Sequence, residues 1–269
     1  MTRRKRFTEW IDKHDPCSDR FLPLTHISGA VSAQRVIDDG KLSLPSKTDG
    51  TFNQPLVYLF YGRPAYRVKP GATVQLESAC PCCFIFDPSL LKRCNDIHAF
   101  DTGAFFNRIY SHVLDDGFQV EDFSLDGQPN RINRLISAAF EDEAAYIDAD
   151  KARLRPISDA SEAWELEGRA YLTLLASPGR NEPDDRVSTI EVNFQDPVLL
   201  DDKLLAVVVP HTFWSETSKA PMLEGLHGRG VKIGTFRFIP GRHPEYLQSL
   251  LEIAVKALFR ELGFEHDAD

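Results

Sequence analysis

Apolar positions gather in six short runs: PLVYLFYG (55–62), TVQLES (73–78), CCFIFD (82–87), VSTIEVNF (187–194), KLLAVVVP (203–210) and VKIGTFRFI (231–239). Each is rich in β-branched or aromatic residues and ends near Gly, Pro or Asp, which predicts strands. Helical spacing predicts helices over 29–39, 129–146 and 244–262. In the last of these, Leu247, Leu250, Leu251, Ala254, Leu258 and Leu262 recur at steps of three and four and form one apolar face. No segment repeats at a fixed period. The pattern is that of an α+β protein.

Within this frame, LTHISGAVSAQRVIDDGKL (24–42) couples a short apolar run to a helix. Ser28 or Gly29 is suited to cap that helix, and Gly40 supplies its left-handed stop. The reading places His26 at the last residue of a strand, beside a helix start whose backbone N–H groups favour anionic or carbonyl groups of a ligand.

PLVYLFYGRPAYR (55–67) begins as a strand and then meets Gly62 and Pro64, neither of which suits a central ladder. Alternation puts Tyr58 and Phe60 on one face, Leu59 and Tyr61 on the other. Tyr58, Tyr61 and Tyr66 beside Arg63 and Arg67 offer a stacking surface and an anion clamp, or else a half-buried strand edge with cation–π packing.

In RVSTIEVNFQDPVLL (186–200), Glu191 interrupts a β-prone run. A carboxylate buried without a partner costs several kcal/mol. Glu191 therefore faces solvent, pairs with a cation or lines a cleft, with Ser188 and Thr189 adding hydroxyls nearby.

Composition narrows the class without naming a chemistry. The chain has 269 residues, 42% hydrophobic and 26% charged, with a formal net charge of −9. That balance argues against a surface coated in cations for generic nucleic-acid binding. No stretch approaches the roughly 20 apolar residues of a membrane helix. MTRRKR at the start has no apolar segment behind it and reads as a frayed tail instead of a signal peptide. Five cysteines suggest free thiols in a reducing compartment, hence the cytoplasm.

Taken in order, a His on the first core strand with a helix behind it, a Tyr-rich second strand and a Glu on a late strand resemble the His–Tyr–Glu arrangement of the ADP-ribosyltransferase superfamily. LTHISGAVSAQRVIDDGKL is similar to the opening of the DNA-targeting ADP-ribosyltransferase toxins, and YLFYGRPAYR to their aromatic–Arg–Pro–Tyr segment. The resemblance covers about the first 70 residues, and Glu191 by position and strand context. It implies split mixed or antiparallel sheets flanked by helices. The domain plan it implies is an N-terminal extension over 1–20 and a single ADP-ribosyltransferase-like domain over 21–269, with a helical insertion at about 129–170.

The resemblance also implies NAD as substrate, either for ADP-ribosyl transfer or for hydrolysis. Cleaving its N-glycosidic bond passes through an oxocarbenium-like cation. Glu191 and Arg63 take the catalytic roles: Glu191 stabilises the cation, and Arg63 clamps phosphate or positions the acceptor. His26, Ile27 and Ser28, with Tyr58, Tyr61 and Tyr66, hold the dinucleotide, one of the tyrosines stacking on nicotinamide. Glu77, Glu216 and Glu224 are fallback carboxylates. The acceptor is left open among nucleic acid, protein, small molecule and water. An intracellular toxin or antiphage defence effector fits this reading, with an antitoxin or immunity protein as partner and no membrane. The alternatives are a catalytically silent module of the same fold and a nuclease or phosphotransferase using His26 and Arg63 on phosphate.

Other motifs carry less. CPCC (80–83) with Cys94 and His98 invites zinc, but Cys82 and Cys83 are adjacent and point to opposite faces of a strand, so no metal is assigned. FDTGAF (100–105), with Asp101 and Thr102 before Gly103, reads as a turn in which the Asp101 side chain bonds the backbone, or else as a brace behind the site. His211 follows a strong strand and reads as a core or loop histidine. GLHGRG (225–230) precedes a strand and reads as a turn, not a phosphate loop.

Overall fold

The structure, a computed structural model, describes residues 6–46, 50–65, 73–177 and 186–264. Among them the strands are β1 (Leu24–Gly29), β2 (Lys41–Leu42), β3 (Val57–Tyr61), β4 (Pro81–Phe86), β5 (Asp96–His98), β6 (Glu191–Phe194), β7 (Val198–Leu199), β8 (Leu204–Pro210) and β9 (Lys232–Phe236). The helices begin with α1 (Arg6–Ile11), α2 (Ala30–Asp39), α3 (Thr102–Phe106), α4 (Asn130–Ala139) and α5 (Glu143–Asp148). They continue with α6 (Ile157–Ala160), α7 (Leu166–Ala176), α8 (Leu200–Lys203), α9 (Pro221–Gly228) and α10 (Pro244–Glu261). The fold is mixed α and β, with mainly antiparallel strands, a small two-stranded sheet and flanking helices.

Where the sequence suggests one domain over 21–269, the chain divides into two compact units, each assembled from separate segments. The first comprises Met1–Phe21, Pro45–Tyr58 and Leu91–Gln195; the second comprises Leu22–Leu44, Leu59–Leu90 and Asp196–Asp269.

In the first unit, α1 is part of the core, which corrects the expected N-terminal extension. Phe7 and Trp10 are buried, and Phe7 lies edge-on to Phe123 and Tyr171 at ring-centroid distances of 5.4 and 5.7 Å. The Trp10 indole donates to the Ala160 carbonyl at 2.8 Å, so its one polar atom is satisfied. Helix α7 approaches closely because Gly168 leaves room: a Cβ there would sit 2.6 Å from the Trp10 ring. The expected insertion over 129–170 is thus body, not appendage, since α4 and α7 both pack on α1. The predicted helix over 129–146 breaks at Phe140, which turns extended and bridges Leu154, before Asp142 caps α5 through the Ala145 amide.

In the second unit, β1 lies between β3 and β4 and is antiparallel to both; β4 is antiparallel to β8, and β8 is parallel to β9. Strand β4 is buried along its whole length, as its continuous apolar run implies. Leu247, Leu251, Val255, Leu258 and Phe259 of α10 cover Cys83, Ile85, Ala206, Val208 and Phe236. Each fully buried Leu, Ile, Val or Phe among them contributes about 2 kcal/mol. The predicted strand over 73–78 does not form: Val74 makes an isolated bridge to Arg242, and Glu77–Ala79 is a 3₁₀ turn. No helix is long and apolar enough to cross a membrane among the described residues.

Candidate functional site

The strongest anomaly lies on β5 and β6 in the first unit. Both strands alternate polar and apolar residues, D-I-H against E-V-N-F, and their antiparallel register sets Asp96 opposite Asn193, Ile97 opposite Val192, and His98 opposite Glu191. Ile97, Val192 and Phe194 lie in the core. The opposite face carries Asp96, His98, Glu191 and Asn193, and a strand of this pattern ordinarily wets that face. Here it is enclosed as well: His98 and Asn193 are 1% exposed and Glu191 3%. Burying polar groups is tolerated only where they are hydrogen-bonded, so the local bonds show what holds the face in place.

Glu191 opens β6, and its carboxylate accepts from Thr102, the amide at 3.2 Å and the hydroxyl at 2.7 Å. Thr102 is placed by the FDTGAF turn. Asp101 caps α3 by accepting from the Ala104 amide at 2.6 Å, which is the side-chain-to-backbone bond its sequence predicts. Its other oxygen accepts from Arg186 at 3.0 Å, a buried ion pair that ties the turn before β6 to the turn before α3. Across the face, Asp96 Oδ1 accepts from the Ser124 hydroxyl and the Ile97 and Gly127 amides at 2.8–2.9 Å. Asp96 Oδ2 lies 3.8 Å from His98 Nε2. Asn193 Oδ1 accepts from Asn95 Nδ2 and the Asp96 amide. The Phe52 ring sits 5.2 Å from the imidazole of His98.

Of the three situations open to Glu191 in the sequence, solvent exposure is ruled out by its burial. The fallback acids are less enclosed: Glu77 is half-buried, and Glu216 and Glu224 are exposed. Sequence reasoning offered the turn holding Thr102 as a brace for the site, whereas His98, Arg186 and Asn193 were not joined to Glu191. The only sequence signal for His98 and Asn193 was the period-2 alternation of DIH and EVNF.

In the second unit, His26 is half-buried on β1, opposite Phe84 with ring centroids 6.5 Å apart. It is not the last residue of the strand, because pairing with β4 continues through Ser28 to Gly29. Gly29 precedes α2, and the first helical amide, that of Ala30, is already bonded to the Cys80 carbonyl at 2.9 Å. Gly40 ends the helix in the left-handed conformation at φ 66°, as its position predicts. Ser28 lies two residues beyond His26, on the same face. Its hydroxyl oxygen is enclosed and has no hydrogen-bond partner among the described residues. Ile27 points to the other face and packs against the α10 core, so its side chain is structural; the part expected of this position is its backbone, holding the carboxamide, on which that packing does not bear. A groove of about 600 Å³ does open beside the helix start, but Ala30, Val31 and Gln34 line it, with Glu77, Phe213 and Met222 opposite, and His26 does not.

Tyr61 departs from the stacking role expected of it. Its ring has no exposed surface, and its hydroxyl accepts from the Leu22 amide at 2.9 Å, so it offers no face for a nicotinamide ring. The burial alternation along β3 matches the predicted faces, with Leu59 and Tyr61 inward and Tyr58 half-buried on the other side. Tyr66 lies outside the described residues. Arg63 is 5% exposed, and its carbonyl accepts from the Thr25 hydroxyl at 2.8 Å, which fastens the turn after β3 to β1. Thus His26, Ser28, Tyr61 and Arg63 belong to one unit, and Tyr58 and Glu191 to the other.

The cysteines are poor nucleophiles. Burial, reinforced by Glu77 for Cys80 and by Cys80 for Cys82, pushes both thiols up to about 12, and burial drives Cys83 upward in the same way. His211 Nδ1 accepts from the Phe238 amide at 3.1 Å, a structural use of that ring. The GLHGRG segment is helical through Gly228, not a turn. No protein-family model, curated protein or solved structure matches the chain.

Proposed function

We propose that this chain is an NAD-dependent ADP-ribosyltransferase or NAD glycohydrolase with an ADP-ribosyltransferase-like arrangement of its strands. The observation that carries the reading is the Glu191 carboxylate, buried and fixed by two bonds from Thr102 on a strand face that is polar yet enclosed. A carboxylate held in place in this way is suited to a cation that exists only in the transition state, because no reorganisation is needed when the charge appears. The resemblance of the 24–42 and 58–67 segments supplies the substrate.

In this reading the bond between nicotinamide N1 and ribose C1′ breaks with its electron pair leaving on nicotinamide. Glu191 faces the resulting oxocarbenium ion, and an acceptor oxygen or nitrogen bonds C1′ and gives up its proton. His26 and Ser28 address the ribose or the carboxamide, and the enclosed Ser28 hydroxyl supports that role. Arg63 serves phosphate or acceptor, and Tyr58 or Tyr66 replaces Tyr61 as the stacking ring. The biological setting proposed is an intracellular toxin or defence effector acting on nucleic acid or protein.

The test is nicotinamide release from NAD by wild-type protein, by Glu191→Gln and by His26→Ala, with thermal stabilisation by NAD measured in parallel. Turnover by wild type and its loss in Glu191→Gln is the expected result. The second reading is a catalytically silent module of the same fold that binds NAD without cleaving it. NAD stabilisation without turnover identifies that case. Neither effect in any variant overturns both readings.

A further inference from the structure

We propose that His98 is a positioning residue for Glu191, the middle member of an acid–imidazole–acid row running Asp96, His98, Glu191 across the enclosed face of β5 and β6. Its catalytic meaning rests on the reading above; the row itself does not.

The register makes the row. Directly opposed residues on antiparallel strands project to the same side, with Cβ atoms about 5 Å apart. His98 has Glu191 opposite it on β6, and Ser124 pairs with it on its other side. Two residues back along β5, on the same face, stands Asp96. Both acids are fixed. Asp96 Oδ1 is taken by three donors, and Oδ2 is turned to within 3.8 Å of the imidazole. Glu191 is held by Thr102 on the side away from β5, at the start of α3. Phe52 packs on the ring at 5.2 Å. An imidazole 1% exposed, 3.8 Å from Asp96 Oδ2 and opposite Glu191 in the register, is sensitive to charge on its own face. Among the described residues, Asp101 and Arg186 are paired with each other at the start of α3, and Asp126, whose amide bonds the Ser124 hydroxyl, is paired with Arg131.

Two functions follow from this placement. The register sets His98 next to Glu191 on one face, where it limits the room left to a carboxylate that Thr102 already bonds. A proton on the ring would set a positive charge beside the Asp96 and Glu191 carboxylates and offset the repulsion between them.

The experiment is a histidine-ring NMR titration of the full chain, with the His98 signal identified by its loss in His98→Gln. It compares wild type with Glu191→Gln, whose amide is isosteric and can still bond Thr102, and with Asp96→Asn. The expected result is a fall of at least about half a pH unit in the His98 midpoint in Glu191→Gln, because a neighbouring negative charge has gone. If the wild-type ring stays charged throughout, the expected result is the appearance of a titration in the variant. Asp96→Asn serves as the second variant and shifts His98 in the same direction. Identical behaviour of His98 in wild type and both variants overturns the proposal. Nicotinamide release is read separately. If wild type releases none, the enzymatic reading fails while the titration still decides the row. If it does release, His98→Gln lowers kcat more than it raises KM and moves the acid limb of the pH profile upward.

Discussion

The hydroxyl of Thr102 lies 2.7 Å from a carboxylate oxygen of Glu191, a residue 89 positions later in the chain. With the Thr102 amide on the other oxygen, one residue satisfies both arms of a buried acid. Hydrogen bonds to charged groups contribute about 1.5–3 kcal/mol. Thr102→Val keeps the shape and the amide bond but removes the hydroxyl. The expected loss is about 2 kcal/mol of unfolding free energy in urea at neutral pH, and Thr102→Ser restores most of it. A neutral Thr102→Val would show that the hydroxyl bond is not what holds Glu191.

Tyr61 separates packing from ligand recognition. Its ring is sealed and its hydroxyl bonded to the Leu22 amide. Tyr61→Phe should cost about 1 kcal/mol, the net value of one hydrogen bond. Tyr61→Ala should cost about 3–5 kcal/mol through the cavity it leaves. Paired urea melts and NAD-induced thermal shifts distinguish the roles. A stable Tyr61→Ala protein with weakened NAD binding would return Tyr61 to the ligand.

The cysteines set an alkaline limit. A thiol in the unfolded chain ionises near its ordinary 9.0, whereas Cys80 and Cys82 in the fold are held up to about 12. Between those values the unfolded state has lost protons that the folded state keeps, so stability is full below pH 9 and declines as pH rises toward 12. Urea midpoints measured across that range should fall, and Cys82→Ala should lessen the slope. The same burial predicts slow alkylation of Cys82 by iodoacetamide until the protein is unfolded.

Gly168 tests the closeness of α7 to α1. An added methyl would meet the Trp10 ring at 2.6 Å, and a buried indole bonded to Ala160 has little room to yield. Gly168→Ala should therefore destabilise by about 1–3 kcal/mol, although alanine is the better helix former. Unchanged stability in thermal and urea melts would mean that the helices separate freely at this point.

The sequence was most informative where one physical cause dominates. Continuous apolar runs marked β4 and β8, the stepped leucines marked α10, and Gly40 marked the end of α2. It misled where tertiary partners override propensity. Val74 finds only Arg242 as a bridge, so the β-prone run over 73–78 has no ladder to join. Phe140 leaves the helix to bridge Leu154, while Asp142 starts another. Glu191 stood out as an acid inside an apolar stretch, but its surroundings were not legible. Thr102 and Arg186 reach the cluster through turns, and His98 reaches it through register; none of these relations is local in sequence.

The burial of α1 also bears on how the chain is made. Phe7 and Trp10 leave the ribosome well ahead of Phe123, Ala160, Gly168 and Tyr171, which enclose them and are synthesised more than 100 residues later. During that interval two large aromatic side chains stay uncovered, a hazard for aggregation that chaperones relieve. Strand β1 waits longer still, because α10, whose core Ile27 joins, begins only at Pro244. A nascent chain stalled before residue 160 should therefore be captured by holdases, and release should follow only when α7 is complete.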